Sequence, residues 1–189
     1  MKSLANQPST LKALRHERLN LGCGLKRLPD AVNLDITNET DPDVVHDLNC
    51  LPWPLPDNHF REVLAYDVLE HLDDFIALME KIHRVCRDKA KVCITIPQCS
   101  APEAYTDPTH RRYFGYNSFD YVRGEHEIEF YTRLIFRKLS GNIIFWPPLL
   151  NKLVWRLTNR YEAAAYERRW MWIFPAWYLY FELQVQKSI

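Results

Sequence analysis

Apolar residues along this chain gather in short runs, and the spacing within each run predicts the element it forms. "RLNL" at Arg18 to Leu21 reads as a buried strand, with a short helix over residues 8 to 17 leading into it. Ala31 to Asp35 gives a second strand, Val44 to His46 a third, and "REVLAYD" at 61 to 67 a fourth. The intervening "LNCLPWPLPDNH" holds too many prolines for either regular element. After it, Asp73 or Asp74 caps a helix. Its Phe75, Ile76, Met79, Ile82, Val85 and Cys86 recur at three- and four-residue spacing and mark one buried face. "KVCITIP" at 91 to 97 is almost wholly apolar, as expected of a strand covered on both faces. Short strands alternating with helices imply an α/β fold, a doubly wound and mostly parallel sheet.

The last third follows another rhythm. Residues 128 to 138 and 143 to 146 contain extended runs broken at Gly141-Asn142. Leu179, Phe181, Leu183 and Val185 then alternate with Tyr180, Glu182, Gln184 and Gln186, the pattern of a half-buried strand and a candidate antiparallel finish to the sheet. Between them, "PPLLNKLVWRLTNRYEAAAYERRWMWIFP" reads as helical and aromatic. It suits packing on the sheet, a lid over an apolar substrate, or a membrane-surface patch.

Composition narrows the function. The 189 residues suit one domain. Lysine plus arginine equal aspartate plus glutamate at 24 each, which argues against a nucleic-acid partner bound by charge. Short clusters such as His110-Arg111-Arg112 read as solvated charge. Five cysteines without Cys-x-x-Cys spacing support neither a disulfide framework nor a zinc knuckle, and the amino terminus lacks a signal-peptide core, so a reduced, cytoplasmic protein is expected. The most apolar stretch, 170 to 181, has only twelve residues and is too short to span a bilayer. Trp170, Trp172, Phe174 and Trp177 within 170 to 178 still offer a peripheral membrane contact.

The most informative stretch is "LNLGCGLKRLPDAVNLD", residues 19 to 35. A dinucleotide fingerprint places three glycines on a tight turn opening a helix, with an acid about 20 residues on. Here Arg27 occupies the third glycine position and Asp35 comes thirteen residues after Gly22. The ten residues between Leu21 and Val32 leave room for little more than one helical turn. A phosphate site needs a helix amino terminus, whereas Gly22 and Gly24 still allow close approach and Asp35 can still accept from ribose hydroxyls. The loop therefore suits a nucleoside without phosphates better than a nicotinamide dinucleotide, although a lone G-x-G also describes a plain turn.

With "LNLGCG" and "VNLD" stand "HDLNCLPWPLPDNHF" at 46 to 60, "VLAYDVLEHL" at 63 to 72 and "DPTHRRYF" at 107 to 114. In this order they resemble the class I S-adenosylmethionine-dependent methyltransferases, in particular a small type 11-like branch with a shortened first crossover. The resemblance covers roughly residues 18 to 120, and less specifically the closing helix and strand. It implies a single Rossmann-like domain, with a cofactor core over 18–100 and acceptor-site loops and an aromatic cap over 101–178. It also implies S-adenosylmethionine as cofactor. Gly22, Cys23 and Gly24 would line the methionyl part, Asp35 the ribose, Asp47 the adenine amine and Leu48 the adenine face. Tyr66 would lie beside the sulfonium, and Leu21 and Ile36 complete the set. The alternative for Asp47 is a turn or helix cap, and for Tyr66 a core aromatic.

The chain departs from the pattern after the fourth strand. Asp67-Val68-Leu69-Glu70 replaces the Asn/Asp-Pro-Pro-Tyr motif of many amine-methylating enzymes, which disfavours base methylation. The expected activity is methyl transfer, most readily to oxygen of a small-molecule, sugar or lipid-linked acceptor. A non-catalytic binding protein of the same fold is the alternative. An oxygen acceptor needs a base, and His110, oriented by Asp107, leads His71, with His126 expected at the surface. Asp107 and His110 by themselves do not make a convincing metal site, and none is expected. Acceptor walls are expected from residues 102 to 114 and 145 to 178.

Overall fold

The computed structural model describes residues 15–123, 135–146, 149–161 and 163–187, with only the backbone at 135, 149–150 and 159–161. Most of the helix expected over 8 to 17 lies outside the described residues, and 15–17 are irregular. His126 lies outside them too, as does the start of the run expected over 128 to 138.

Seven strands join one sheet: β1 (Arg18–Leu21), β2 (Val32–Asp35), β3 (Val44–Val45), β4 (Phe60–Tyr66), β5 (Cys86–Pro97), β6 (Ile135–Ile144) and β7 (Tyr178–Gln186). Their order is β3-β2-β1-β4-β5-β7-β6. All neighbours pair in parallel except β7, which runs antiparallel to both β5 and β6. Four α-helices lie among the described residues, α1 (Phe75–Val85), α2 (Glu103–Thr106), α3 (Leu149–Tyr161) and α4 (Ala163–Arg169), along with three short 3-10 helices.

The α1 helix forms where the apolar period placed it. Asp74 caps it by accepting from the Ala77 amide at 3.0 Å, and Leu78, Met79, Ile82 and Val85 are buried. They meet one face of the sheet, where Leu19, Leu21, Val63, Ala65, Val92, Ile94, Ile96, Leu179 and Phe181 form the core. α1 runs into β5 without a loop, because the Asn58 and His59 amides bond to the Arg84 and Val85 carbonyls and draw the chain into the sheet early. β5 therefore starts at Cys86, five residues before the expected Lys91.

The break expected at Gly141-Asn142 is absent; β6 passes straight through both residues. A Cβ at Gly141 would stand 2.9 Å from the Phe181 ring, so this glycine marks close approach of a neighbouring side chain and not a turn.

The β1–β2 connection contains no helix at all, less than the single turn expected. Side-chain amides hold it instead. Asn20 and Asn33, register partners on the face a crossover helix would cover, are both buried. Asn20 Nδ2 donates to the Lys26 carbonyl (3.0 Å) and to Asn33 Oδ1 (3.1 Å); Asn33 Oδ1 also accepts from the Leu28 amide at 2.8 Å. Asn33 Nδ2 donates to the Leu28 carbonyl (2.9 Å) and to Asp43 Oδ2 (2.9 Å). These bonds satisfy backbone groups that a helix would otherwise have paired.

In the last third, Tyr166 of α4 is buried edge-on to Phe145 (5.1 Å) and donates to the Phe174 carbonyl. Trp146, Leu153, Trp170, Trp172 and Ile173 are all more than half exposed. Part of the segment thus packs on the sheet and part forms an apolar surface.

Candidate active site

A cavity of about 490 Å³ opens at the carboxyl ends of β1, β2 and β4, beside the point where the strand order reverses. Open α/β sheets bind ligands at that place. One wall comes from the first three strands: Gly22, Gly24, Leu34, Asp35, Ile36, His46, Asp47, Leu48 and Asn49. The other comes from Asp67, Val68, His71 and Leu72 after β4, with Thr109 and Arg111 from the segment after α2.

The first wall is made of backbone and acids. Gly22 has φ +57°, and a Cβ there would sit 2.6 Å from Val68 Cγ2. Gly24 has φ +48° and faces open space. Asp35 fixes the loop: Oδ2 accepts the Gly24 amide at 2.7 Å and the Cys23 thiol at 3.9 Å, and Oδ1 accepts the Thr37 amide at 3.2 Å, which leaves Oδ1 a free lone pair. Asp47 Oδ1 accepts the Asn49 amide at 2.9 Å, so it caps a turn while lining the cavity. Leu48, whose carbonyl accepts from the buried Trp53 indole at 3.0 Å, offers an apolar surface.

The second wall is built across the fold. The Glu70 carbonyl accepts from the Arg111 amide (2.8 Å) and the Arg112 amide (3.1 Å), which ties the segment around His110 to the exit of β4. Glu70 itself is only 2% exposed, and neither carboxylate oxygen has a hydrogen-bond partner. Burial pushes its carboxyl up to about 7, with Asp67 and Asp107 adding to the rise. His110 Nε2 lies 3.9 Å from Glu70 Oε1 and 3.9 Å from Asp107 Oδ2. His71 meets His110 edge-on, ring centres 4.7 Å apart; burial, then His110, holds His71 below the usual imidazole range. Asp107 is held below the usual carboxylate range mainly by the Thr109 hydroxyl, which donates to its Oδ1 at 2.6 Å.

Of the cofactor residues expected from sequence, Gly22, Gly24, Asp35, Ile36, Asp47 and Leu48 line the cavity. Leu21, Cys23 and Tyr66 are not on its walls. Leu21 and Cys23 are buried beneath, the Cys23 sulfur 3.9 Å from Asp35 Oδ2. Tyr66 closes β4 in the same alternation as Leu64 and Glu62, away from the core side chains Val63 and Ala65. Of the base candidates, His71 lines the cavity, while His110, its side chain 7% exposed, packs behind it with Asp107 alongside. Among the described residues, none from the aromatic segment 145 to 178 lines it. Sequence reasoning assigned no role to Asp67, Val68, Thr109 or Glu70. The signal for Glu70 was an acid inside the otherwise apolar "VLEHL".

Asp35, Asp47 and Asp67 line the cavity against Arg111 as its single permanent cation among the described residues, and Arg111 is already paired with Asp73. That wall repels a pyrophosphate and favours a cationic nucleoside. The residues therefore fit S-adenosylmethionine: acids for ribose and adenine polar groups, apolar Leu48 and Ile36 for the base, and bare glycine backbone for the methionyl chain.

Comparison with known proteins agrees. Residues 19–94 match the family model described as a methyltransferase domain. A SAM-dependent methyltransferase from Archaeoglobus fulgidus is similar in fold: 15% identity, 92% of this chain and 89% of that one, TM-score 0.56. One from Mesorhizobium loti shares 14% identity over 95% of this chain and 99% of that one, TM-score 0.55. Phosphoethanolamine N-methyltransferase 2 from Haemonchus contortus, in complex with S-adenosyl-L-methionine, shares 15% over 95% of this chain and 52% of that one, TM-score 0.54. No curated protein matches the sequence significantly. Fold and site together thus resemble those of the class I S-adenosylmethionine-dependent methyltransferases. The matched stretch, from β1 into β5, holds the strands that build most of the cavity.

Proposed function

We propose that this enzyme transfers the methyl group to an oxygen of a small-molecule, sugar or lipid-linked acceptor. The observation that carries this reading is the meeting, in one cavity, of a phosphate-averse nucleoside wall and a cluster of proton-accepting groups. The cavity volume falls within the ~300–1,000 Å³ of small-molecule sites. Asp35 binds the ribose hydroxyls, Asp47 the adenine amine, and Leu48 and Ile36 flank the ring. The bound cofactor supplies an electrophilic methyl on a sulfonium. His71 stands at the wall with Nδ1 2.9 Å from Thr109 Oγ1, and Thr109 in turn bonds Asp107. This chain orients the ring so that Nε2 takes the acceptor's proton, and His110 and Glu70 set the field behind it. Positioning contributes several kcal/mol to the rate and a general base roughly 10²- to 10⁴-fold.

The test is turnover with panels of hydroxyl, amine and carbon acceptors, products resolved by mass spectrometry. O-methyl products are expected. Methylation confined to nitrogen or carbon, or no turnover on any panel, would overturn the assignment to oxygen.

A second reading concerns where the acceptor is met. Trp170, Trp172, Ile173 and Phe174 are 52%, 68%, 63% and 39% exposed and follow Arg168 and Arg169 directly. Aromatic and basic residues so arranged suit a lipid headgroup region. We place the enzyme in the cytoplasm, where its five unpaired cysteines stay reduced, in reversible contact with a membrane. Flotation with anionic liposomes should carry the wild type upward and leave a Trp170→Ala/Trp172→Ala variant below; no flotation of the wild type would dismiss the contact.

A further inference from the structure

We infer that Glu70, His71 and His110 bind a divalent transition-metal ion whose open coordination positions face the cavity. One donor atom from each residue lies within 4.8 Å of the others. Their tautomers are legible from their other partners. His110 Nδ1 is 3.1 Å from the Ala104 carbonyl, so Nδ1 carries the hydrogen and Nε2 presents a lone pair toward Glu70. The hydrogen of the Thr109 hydroxyl is committed to Asp107, so its oxygen accepts from His71 Nδ1, and the lone pair of His71 is likewise on Nε2. One nitrogen of each imidazole, the bare Nε2 in the case of His110, thus gathers with a carboxylate that is buried and has no hydrogen-bond partner.

An ion pair between Glu70 and a protonated His110 does not account for this arrangement. The separation of 3.9 Å exceeds hydrogen-bond distance, and such a buried carboxylate would be left uncompensated. A cation between the three groups compensates it. Each imidazole is also braced from behind, His110 by the Ala104 carbonyl and His71 by the Thr109–Asp107 pair, as metal-bound histidines are.

Two nitrogens and one carboxylate suit zinc, manganese, iron or cobalt in the divalent state; magnesium and calcium prefer all-oxygen shells. Three protein ligands leave at least one position open. His71 lines the cavity, so that position faces the acceptor. The role of the ion there rests on the oxygen-acceptor reading. An acceptor hydroxyl on the ion loses its proton to solvent water; its oxygen pair then forms the new O–C bond as the C–S pair returns to sulfur. His71 acts as ligand in that state, and the ion takes over the lowering of the hydroxyl's pKa.

The test uses the full chain stripped with a chelator and titrated with CoCl2, following the visible d–d absorption, with S-adenosylhomocysteine binding measured in parallel. The wild type should take up one equivalent. Glu70→Gln and His110→Gln should bind cobalt roughly 100-fold more weakly or worse. Neither residue lines the cavity, so both variants should keep the affinity for S-adenosylhomocysteine. His71→Asn, altered at the cavity wall, serves as the third variant should a buried change prevent folding. Failure of the stripped wild type to take up cobalt or zinc while S-adenosylhomocysteine still binds would overturn the metal site alone. Uptake that all three variants retain would overturn it equally. One equivalent of metal in a protein that makes only N- or C-methyl products would overturn the oxygen reading and leave the site standing.

Discussion

The two walls of the cavity solve opposite problems. The wall from β1 to β3 is already satisfied: Asp35 holds the Gly24 amide and Asp47 caps its own turn. The wall after β4 contains the least satisfied group of the site, Glu70, buried with neither oxygen hydrogen-bonded. A binding surface gains from being finished before its ligand arrives. A reactive surface gains from groups held short of their ordinary ionisation, and their cost is tolerated because the surrounding fold fixes them.

Substitutions on the two walls should therefore separate cleanly. The largest effect is expected at His71: His71→Ala should lower kcat by about 10²- to 10⁴-fold, with S-adenosylhomocysteine affinity changed only a few-fold. A loss confined to affinity would move His71 to the binding wall.

Next comes Glu70. Its folded carboxyl is raised from 4.5 to about 7. Between those values the unfolded chain has lost a proton that the folded chain keeps, so stability falls as pH rises through this window and the penalty is complete above about 7. In chelator-treated protein, wild type should lose on the order of 3 kcal/mol relative to Glu70→Gln between pH 4 and 8. Denaturant curves that stay parallel for the two proteins across that range would contradict the assignment.

The glycines sharpen the first wall. Gly22→Ala meets both a left-handed backbone and Val68 at 2.6 Å and should cost about 2–3 kcal/mol of stability. Gly24→Ala shares the backbone strain but faces open space, and should cost about 1 kcal/mol. Equal melting temperatures for the two variants would refute this account of the loop. Asp35→Asn keeps an acceptor for the Gly24 amide, and the expected effect is a roughly 10-fold loss of S-adenosylhomocysteine affinity with stability nearly unchanged; unaltered affinity by calorimetry would remove Asp35 from the ribose.

The same division explains what was legible in the sequence. Gly22, Gly24, Asp35 and Asp47 follow strand ends directly, so local pattern sufficed to place them at one sheet edge. The burial pattern of β7 was legible for a similar reason, since strict alternation over Leu179 to Val185 fixes which side chains are buried. The second wall depends on contacts between residues about 40 apart, such as the Glu70 carbonyl with the Arg111 amide. No local period encodes that. His110 was therefore expected on the cavity and stands behind His71, and Thr109, with its hydroxyl between His71 and Asp107, went unassigned. Gly141 misled for a different reason: the sequence cannot distinguish a glycine that makes a turn from one that makes room for Phe181.

On this account the cavity takes a nucleoside without phosphates and rejects a phosphorylated one. Calorimetric titration of the wild type with S-adenosylhomocysteine and, separately, with NADH tests it most directly. Saturable binding of one S-adenosylhomocysteine per chain, lost above all by changes at Asp35, with no heat from NADH, is the predicted result. Binding of NADH with none of S-adenosylhomocysteine would contradict it.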